Sequence, residues 1–224
     1  MVAAEVSAFY EQEHRRHGVR LLLGTGIAGF IGGRRVSGVA LAGGGELPAD
    51  LVVVGIGIQP NDELAAAAGL ETEDGIVVDE HCRTGDPDIY AIGDCTRHPN
   101  RILGRMVRLE SVQNALEQAR TAAANILGEE ASYTDIPWFW SDQYDLKLQI
   151  AGLSQGYDRA VLRGDPDSRA FACAYLLGDR LLALDAINSP RDFLQAKKAI
   201  SDGCAVIPER LADPATDFKD ALRA

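Results

Sequence analysis

The chain has 224 residues, 46% hydrophobic and 25% charged, with 23 glycines and 9 prolines, which excludes a disordered or collagen-like chain and fits one large globular domain or two small ones. The formal net charge of −11 opposes a phosphate backbone, and no basic stripe or tail offsets it, so nucleic acid is not an expected partner. No apolar run reaches the roughly 18–20 residues of a membrane span, and the N-terminus carries acids and no secretory apolar region, so a cytoplasmic protein without membrane attachment is expected.

Taken in chain order, residues 3–17 predict a helix, with Val6, Phe9, Tyr10 and Glu13 at helical spacing and Gly18 as the stop. Val19–Leu23 reads as a short buried strand, and the glycine-rich pieces to about residue 50 read as a meander of hairpins. Leu51–Val54, a continuous apolar run ending at Gly55, suits a central strand covered on both faces. Asp62–Ala68 predicts a short helix closed by Gly69, Ile76–Val78 a strand, and Ile89–Ile92 another strand closed by Gly93-Asp94. A long helix follows, with Ser111 as N-cap and Gly128 just past its end. Val112, Ala115, Leu116, Ala119, Ala122, Ala123 and Ile126 make one apolar face along it. From about Asp135 the texture becomes strand-rich: Leu146–Ile150, Arg159–Leu162, Ala170–Leu176 and Arg180–Ile187, then a helix capped by Ser189, opened by Pro190 and ended by Gly203.

Four features bear on chemistry. Gly24-Thr25-Gly26-Ile27-Ala28-Gly29 spells a dinucleotide fingerprint, but that loop needs a helix to begin there and hold the pyrophosphate. The following FIGGRRVSGV is not helical, so the run reads as part of a hairpin. In IYAIGDC, Gly93 lets a ligand approach the backbone and the Asp94 carboxylate accepts hydrogen bonds from sugar-type hydroxyls; an ordinary Gly-Asp turn fits as well. Glu110, Ser111, Val112 and Gln113 open the long helix, where the free N–H groups and the dipole favour negative charge; a plain capped helix is the alternative. Trp138 and Trp140, at alternating strand positions, share a face that suits a planar ligand, or a core or interface cluster. Cys82, Cys95, Cys173 and Cys204 form no CxxC pair, so neither zinc nor a dithiol is expected. His14, His17, His81 and His98 show no partner pattern and read as surface residues, and no side-chain nucleophile stands out as catalytic.

The ordered series DLVVVGIGIQPN, IYAIGDC, RLESVQNALEQA and PWFWSDQYDLKLQIAG, ending near GDRLLALDAINSPRDF, resembles the FAD-dependent NAD(P)H ferredoxin reductases over nearly the whole chain. The resemblance implies an α/β fold class: incomplete pieces of NAD- and FAD-binding Rossmann-like domains (residues 1–60 and 61–134), then an α+β C-terminal reductase domain (135–224). It implies that Asp94 holds the ribityl chain of FAD, with Gly93 beside it. It sets Glu110, Ser111, Val112 and Gln113 beneath the flavin's pyrimidine edge, and Trp140 first, or Trp138, beside the isoalloxazine. Gly55 and Gly57 fall near the nicotinamide path. The implied partner is a [2Fe-2S] ferredoxin, with Lys197, Lys198 and Arg191 as local basic candidates for docking or as a solvated face. The family's two phosphate-binding loops have no counterpart here. The expectation is therefore the C-terminal portion of a reductase, inactive in isolation, paired with a missing N-terminal half or with itself. The alternative is a non-catalytic remnant or interaction module.

Overall fold

The structure is a computed structural model that describes residues 2–223. The chain divides into two compact units, Ser7–Ile58 and Met1–Val6 with Gln59–Ala224. Helix α1 (Ala4–Arg16) matches the spacing of its apolar residues and is stopped at Gly18, whose φ is +79°.

In the unit Ser7–Ile58, the predicted meander forms. Strands β1 (Ile27–Gly32), β2 (Val36–Leu41) and β3 (Glu46–Pro48) make an antiparallel sheet in that order. Gly32 turns β1 into β2 at φ +136°, where a Cβ would fall 2.1 Å from the Arg35 carbonyl oxygen, so only glycine fits. The GxGxxG run leads straight into β1, with no helix after it. Two expected strands do not form. Val19–Leu23 is coil with Val19, Leu22 and Leu23 exposed, and Leu51–Val54 is coil with Leu51 79% and Val53 85% exposed. A buried strand needs neighbours to take its backbone hydrogen bonds and cover both faces, and neither run is paired among the described residues.

The other unit starts with helix α2 (Glu63–Ala67) and strands β4 (Ile76–Val77), β5 (Thr96–Asn100) and β6 (Arg105–Arg108); β4 pairs parallel and β6 antiparallel with β5. The strand expected at Ile89–Ile92 is reduced to a single bridge between Tyr90 and Arg83, with Ile89 and Ile92 exposed. Helix α3 (Val112–Ile126) is capped as predicted: the Ser111 side chain accepts from the Asn114 N–H, and Gly128 lies at φ +88°. Its burial is inverted, however. Gln113, Asn114, Gln118, Thr121 and Asn125 are buried together with Ala122, whereas Val112, Leu116 and Ile126 are exposed.

The strand-rich portion forms one antiparallel sheet of β7 (Trp138–Gln143), β8 (Leu146–Gly152), β9 (Arg159–Asp165), β10 (Ala170–Leu177) and β11 (Arg180–Ile187), in the order β7-β8-β11-β10-β9. Alternation sends Ala172, Ala174 and Leu176 of β10 and Leu184 and Ala186 of β11 into one core with Phe193, Ala196, Ala199 and Ile200 of helix α4 (Pro190–Ser201). Each large side chain buried there contributes about 1.5–3 kcal/mol. The opposite face carries Phe171, Cys173, Tyr175 and Asp185, also buried. There the Ala3 N–H donates to Tyr175 Oη at 2.7 Å, and Tyr175 Oη donates to Asp185 Oδ2 at 2.5 Å. After helix α5 (Pro208–Ala212) the last residues are held by buried Arg163 of β9. Its guanidinium donates to Asp192 Oδ1 at 3.1 Å and to the carbonyls of Leu211, Asp213 and Thr216 at 3.1, 2.7 and 2.9 Å. No helix among the described residues is long and apolar enough to cross a membrane.

Candidate functional site

The turn before β5 sets Gly93 and Asp94 against the start of α3. Gly93 has φ +84°, and its carbonyl accepts from the Thr96 N–H at 3.1 Å and from Thr96 Oγ1 at 2.8 Å. A Cβ at Gly93 would lie 3.7 Å from the Ala115 Cβ. Glycine is thus required by the left-handed backbone rather than by lack of room, and the corner abuts the first turn of α3. The Asp94 side chain is exposed, and no described residue bonds its carboxylate. Arg108 joins the two parts, with Nη1 donating to the Asp94 carbonyl at 3.4 Å and to Glu110 Oε1 at 2.7 Å. At the helix start Ser111 is half-buried, Val112 is exposed and Gln113 is buried. The structure therefore brings Gly93, Asp94, Glu110, Ser111, Val112 and Gln113 into one neighbourhood, an exposed carboxylate beside the positive end of a 15-residue helix.

Trp138 and Trp140 do share a face of β7, their rings 5.5 Å apart. Trp138 is committed to the core: its ring meets Phe193 edge-on at 6.0 Å and lies under Lys197 Nζ at 5.3 Å. Trp140 is 45% exposed and keeps area for a ligand. Lys198 pairs with Asp202 at 2.9 Å and Arg191 with Asp217 at 2.6 Å. Gly55 and Gly57 belong to the unit Ser7–Ile58, in an irregular segment with a bend at Ile56, where Gly57 has φ +95°.

Beneath the corner lies a buried polar group that the sequence reading passed over. The Gly93 N–H donates to Gln118 Oε1 at 2.6 Å, the Thr96 hydroxyl shares its one proton between the Gly93 carbonyl and this oxygen 3.0 Å away, and Gln118 Nε2 lies 3.0 Å from His98 Nδ1. His98 is not a surface residue. Its ring is buried edge-on to Tyr133 at 5.1 Å, and burial lowers its pKa to about 4. The cause is the alternation of β5, which turns Thr96, His98 and Asn100 inward. The available signal was the run of uncharged polar residues Gln113, Asn114, Gln118, Thr121 and Asn125 at helical spacing. It marks a buried polar face on α3, where Asn125 Nδ2 bonds the Thr121 and Ala131 carbonyls at 2.9 and 2.8 Å. Cys82, Cys95, Cys173 and Cys204 carry free thiols, and burial pushes Cys82 up to about 11 and Cys173 up to about 12, which keeps both protonated and weakly nucleophilic.

The chain is 47% identical over 223 residues to the ferredoxin reductase subunit of a 5,5'-dehydrodivanillate O-demethylase from Sphingobium sp., covering 98% of this chain and 54% of the relative. It is 47% identical to putidaredoxin reductase of Pseudomonas putida, covering 100% and 54%, and 45% identical to rhodocoxin reductase of Rhodococcus erythropolis, covering 99% and 52%. The chain thus spans about half the length of these relatives. In solved structures it superposes on the reductase of a covalent putidaredoxin reductase–putidaredoxin complex with a TM-score of 0.94 at 47% identity, covering 99% of this chain and 54% of that one. A ferredoxin reductase from Rhodopseudomonas palustris gives 0.94 at 42%, covering 100% and 55%. Residues 138–222 match the family described as Reductase C-terminal, and residues 1–119 match that described as Pyridine nucleotide-disulphide oxidoreductase. The chain belongs to the pyridine nucleotide-disulphide oxidoreductase family, and its relatives there are ferredoxin reductases.

Proposed function

We propose that this chain is the C-terminal portion of a flavoprotein reductase that passes electrons from NAD(P)H through FAD to a [2Fe-2S] ferredoxin. The observation that carries the reading is the corner at Gly93-Asp94 set against the start of α3. The residues present fit FAD: a left-handed glycine at a tight corner, an exposed carboxylate with no partner among the described residues, and a capped helix start beside it. Asp94 would accept hydrogen bonds from ribityl hydroxyls. The N-terminus of α3, behind Glu110 and Ser111 and opening at Val112 and Gln113, would favour negative charge at the pyrimidine edge by about 0.3–1 kcal/mol. Trp140 would cover the ring, with Trp138 as its backing on α4. Gly55 and Gly57 would border the nicotinamide path. Bound FAD supplies the chemistry, accepting a hydride and releasing single electrons, while the protein positions it and tunes its surroundings.

The exposed apolar faces support a second element of the reading. Val112, Leu116 and Ile126 line one side of α3, and Leu51, Val53 and Ile56 run exposed in the other unit. In each unit, an exposed apolar run of this kind marks an interface. We assign it to the half of the relatives that this chain does not match; alone, the chain would self-associate and hold FAD weakly.

The test is to purify the chain with and without the unmatched N-terminal segment of a relative, add FAD, and follow gel filtration. Flavin absorbance retained by the pair and bleached by NADH is expected. A well-folded pair that retains no flavin would refute the assignment.

A further inference from the structure

We propose that Gln118 is the positioning residue that locks the Gly93-Asp94 corner to the body of α3. A backbone N–H only donates, so the Gln118 atom 2.6 Å from the Gly93 nitrogen is the carbonyl oxygen. The Thr96 hydroxyl lies 3.0 Å from the same oxygen and 2.8 Å from the Gly93 carbonyl, and its one proton is shared between the two. Oε1 thus faces the turn that carries Asp94. The other end of the amide is therefore the NH₂ group, a donor, and it faces His98 Nδ1 at 3.0 Å. His98 Nδ1 must accept, which fixes the ring as neutral with its proton on Nε2. A protonated ring would set N–H against N–H.

One amide thus ties three residues of the segment Gly93–His98 to the second turn of α3, seven residues from its N-cap Ser111. Gln118 is fully buried, as is His98. In a low-dielectric setting these bonds are strong, and a lost partner is costly. No other side chain of α3 bonds this turn among the described residues. Gly93 at φ +84° has no side chain of its own to anchor it, so its position relative to the body of the helix is set by this brace, with Arg108 tying the Asp94 carbonyl to Glu110 just ahead of the helix. Where the corner and the helix start together hold the flavin, as proposed above, Gln118 sets the spacing between ribityl acceptor and pyrimidine edge without touching either.

The experiment uses the intact chain and two variants, Gln118→Met, which keeps length and loses every hydrogen bond, and Gln118→Glu, which keeps acceptors toward Gly93 and Thr96. Amide hydrogen exchange by NMR is read at Gly93, with the interior amides of α3 as the internal control. In Gln118→Met, Gly93 exchange is expected to rise by about tenfold or more relative to those control amides. In Gln118→Glu, protection is retained, and the His98 pKa climbs by at least about a unit because a carboxylate oxygen now faces Nδ1. Gly93 exchange that is unchanged, or that moves only in step with the whole helix, overturns the proposal. FAD titration with the N-terminal segment supplied separates it from the flavin-site reading. Wild type binding with Gln118→Met weakened supports both, and equal binding refutes the brace's role in cofactor placement. No binding by either protein refutes the flavin site, with Gly93 exchange still deciding the brace.

Discussion

Two buried titratable groups pull the stability of this chain in opposite directions over the same pH range. Burial raises the Asp185 carboxyl from 3.8 to about 6, against the hydrogen bond from Tyr175, which works the other way. A folded-state pKa above the unfolded one contributes stability that is fully present below the unfolded value and lost as pH rises through the folded value. Over the whole window the shift is worth about 3 kcal/mol. Burial lowers His98 from 6.5 to about 4. Its contribution is present above the unfolded value, is lost as pH falls through the folded one, and is also about 3 kcal/mol. On acidification Asp185 therefore gains what His98 loses, and the pair nearly cancels. Single substitutions expose each slope. Asp185→Asn keeps an acceptor for the Tyr175 hydroxyl, and His98→Asn keeps one for the Gln118 amide. In urea titrations between about pH 7.5 and about pH 4.5, Asp185→Asn is expected to lose about 2 kcal/mol more than wild type, and His98→Asn about 2 kcal/mol less. Constant offsets from changed packing do not alter these slopes. Differences from wild type that stay flat to within about 0.5 kcal/mol across the range would refute the reasoning.

Three further outcomes follow from particular contacts. Arg163→Met leaves Asp192 and three carbonyls without their buried donor. It is expected to cost about 3–5 kcal/mol in chemical denaturation and to open the segment from Asp213 to Phe218 to limited proteolysis. Gly93→Ala meets no steric barrier, since the added Cβ sits 3.7 Å from Ala115, but its left-handed backbone sets a cost of about 1–2 kcal/mol in thermal unfolding. Leu116→Glu changes an exposed position of α3. Folding stability should move by about 0.5 kcal/mol at most, while self-association measured by sedimentation drops sharply.

The C-terminal sheet was legible because its information is local. The apolar runs Ala170–Leu176 and Arg180–Ile187 and the Gly178-Asp179 turn between them set strand and reversal together. The cap at Ser111, and Pro190 and Gly203 at the two ends of α4, were equally readable, since helix ends depend on a few neighbouring residues; Ser189 caps no backbone N–H and instead donates to Asp192 Oδ2. The apolar runs Val19–Leu23, Leu51–Val54 and Ile89–Ile92 misled because hydropathy reports a tendency to be covered, whereas a strand exists only where a neighbour accepts its backbone. Helix α3 misled in the same way: its position follows from its period, but the stripe that faces inward is the amide-bearing one, chosen by polar partners on β5 and the loop near Ala131. The candidate site was read as motifs along the chain, and the corner and helix start do meet. Gln118 and His98 escaped because their roles arise from three-dimensional pairing between a strand and a helix about twenty residues apart.

Asp94 carries the central claim, and equilibrium FAD binding by the chain paired with the unmatched segment of a relative tests it most directly. An ionised acceptor facing hydroxyls contributes about 1.5–3 kcal/mol. Asp94→Ala is therefore expected to weaken FAD binding by roughly ten- to a hundredfold, leaving the thermal midpoint of the FAD-free pair unchanged. FAD binding equal to wild type in a folded Asp94→Ala protein would contradict the account.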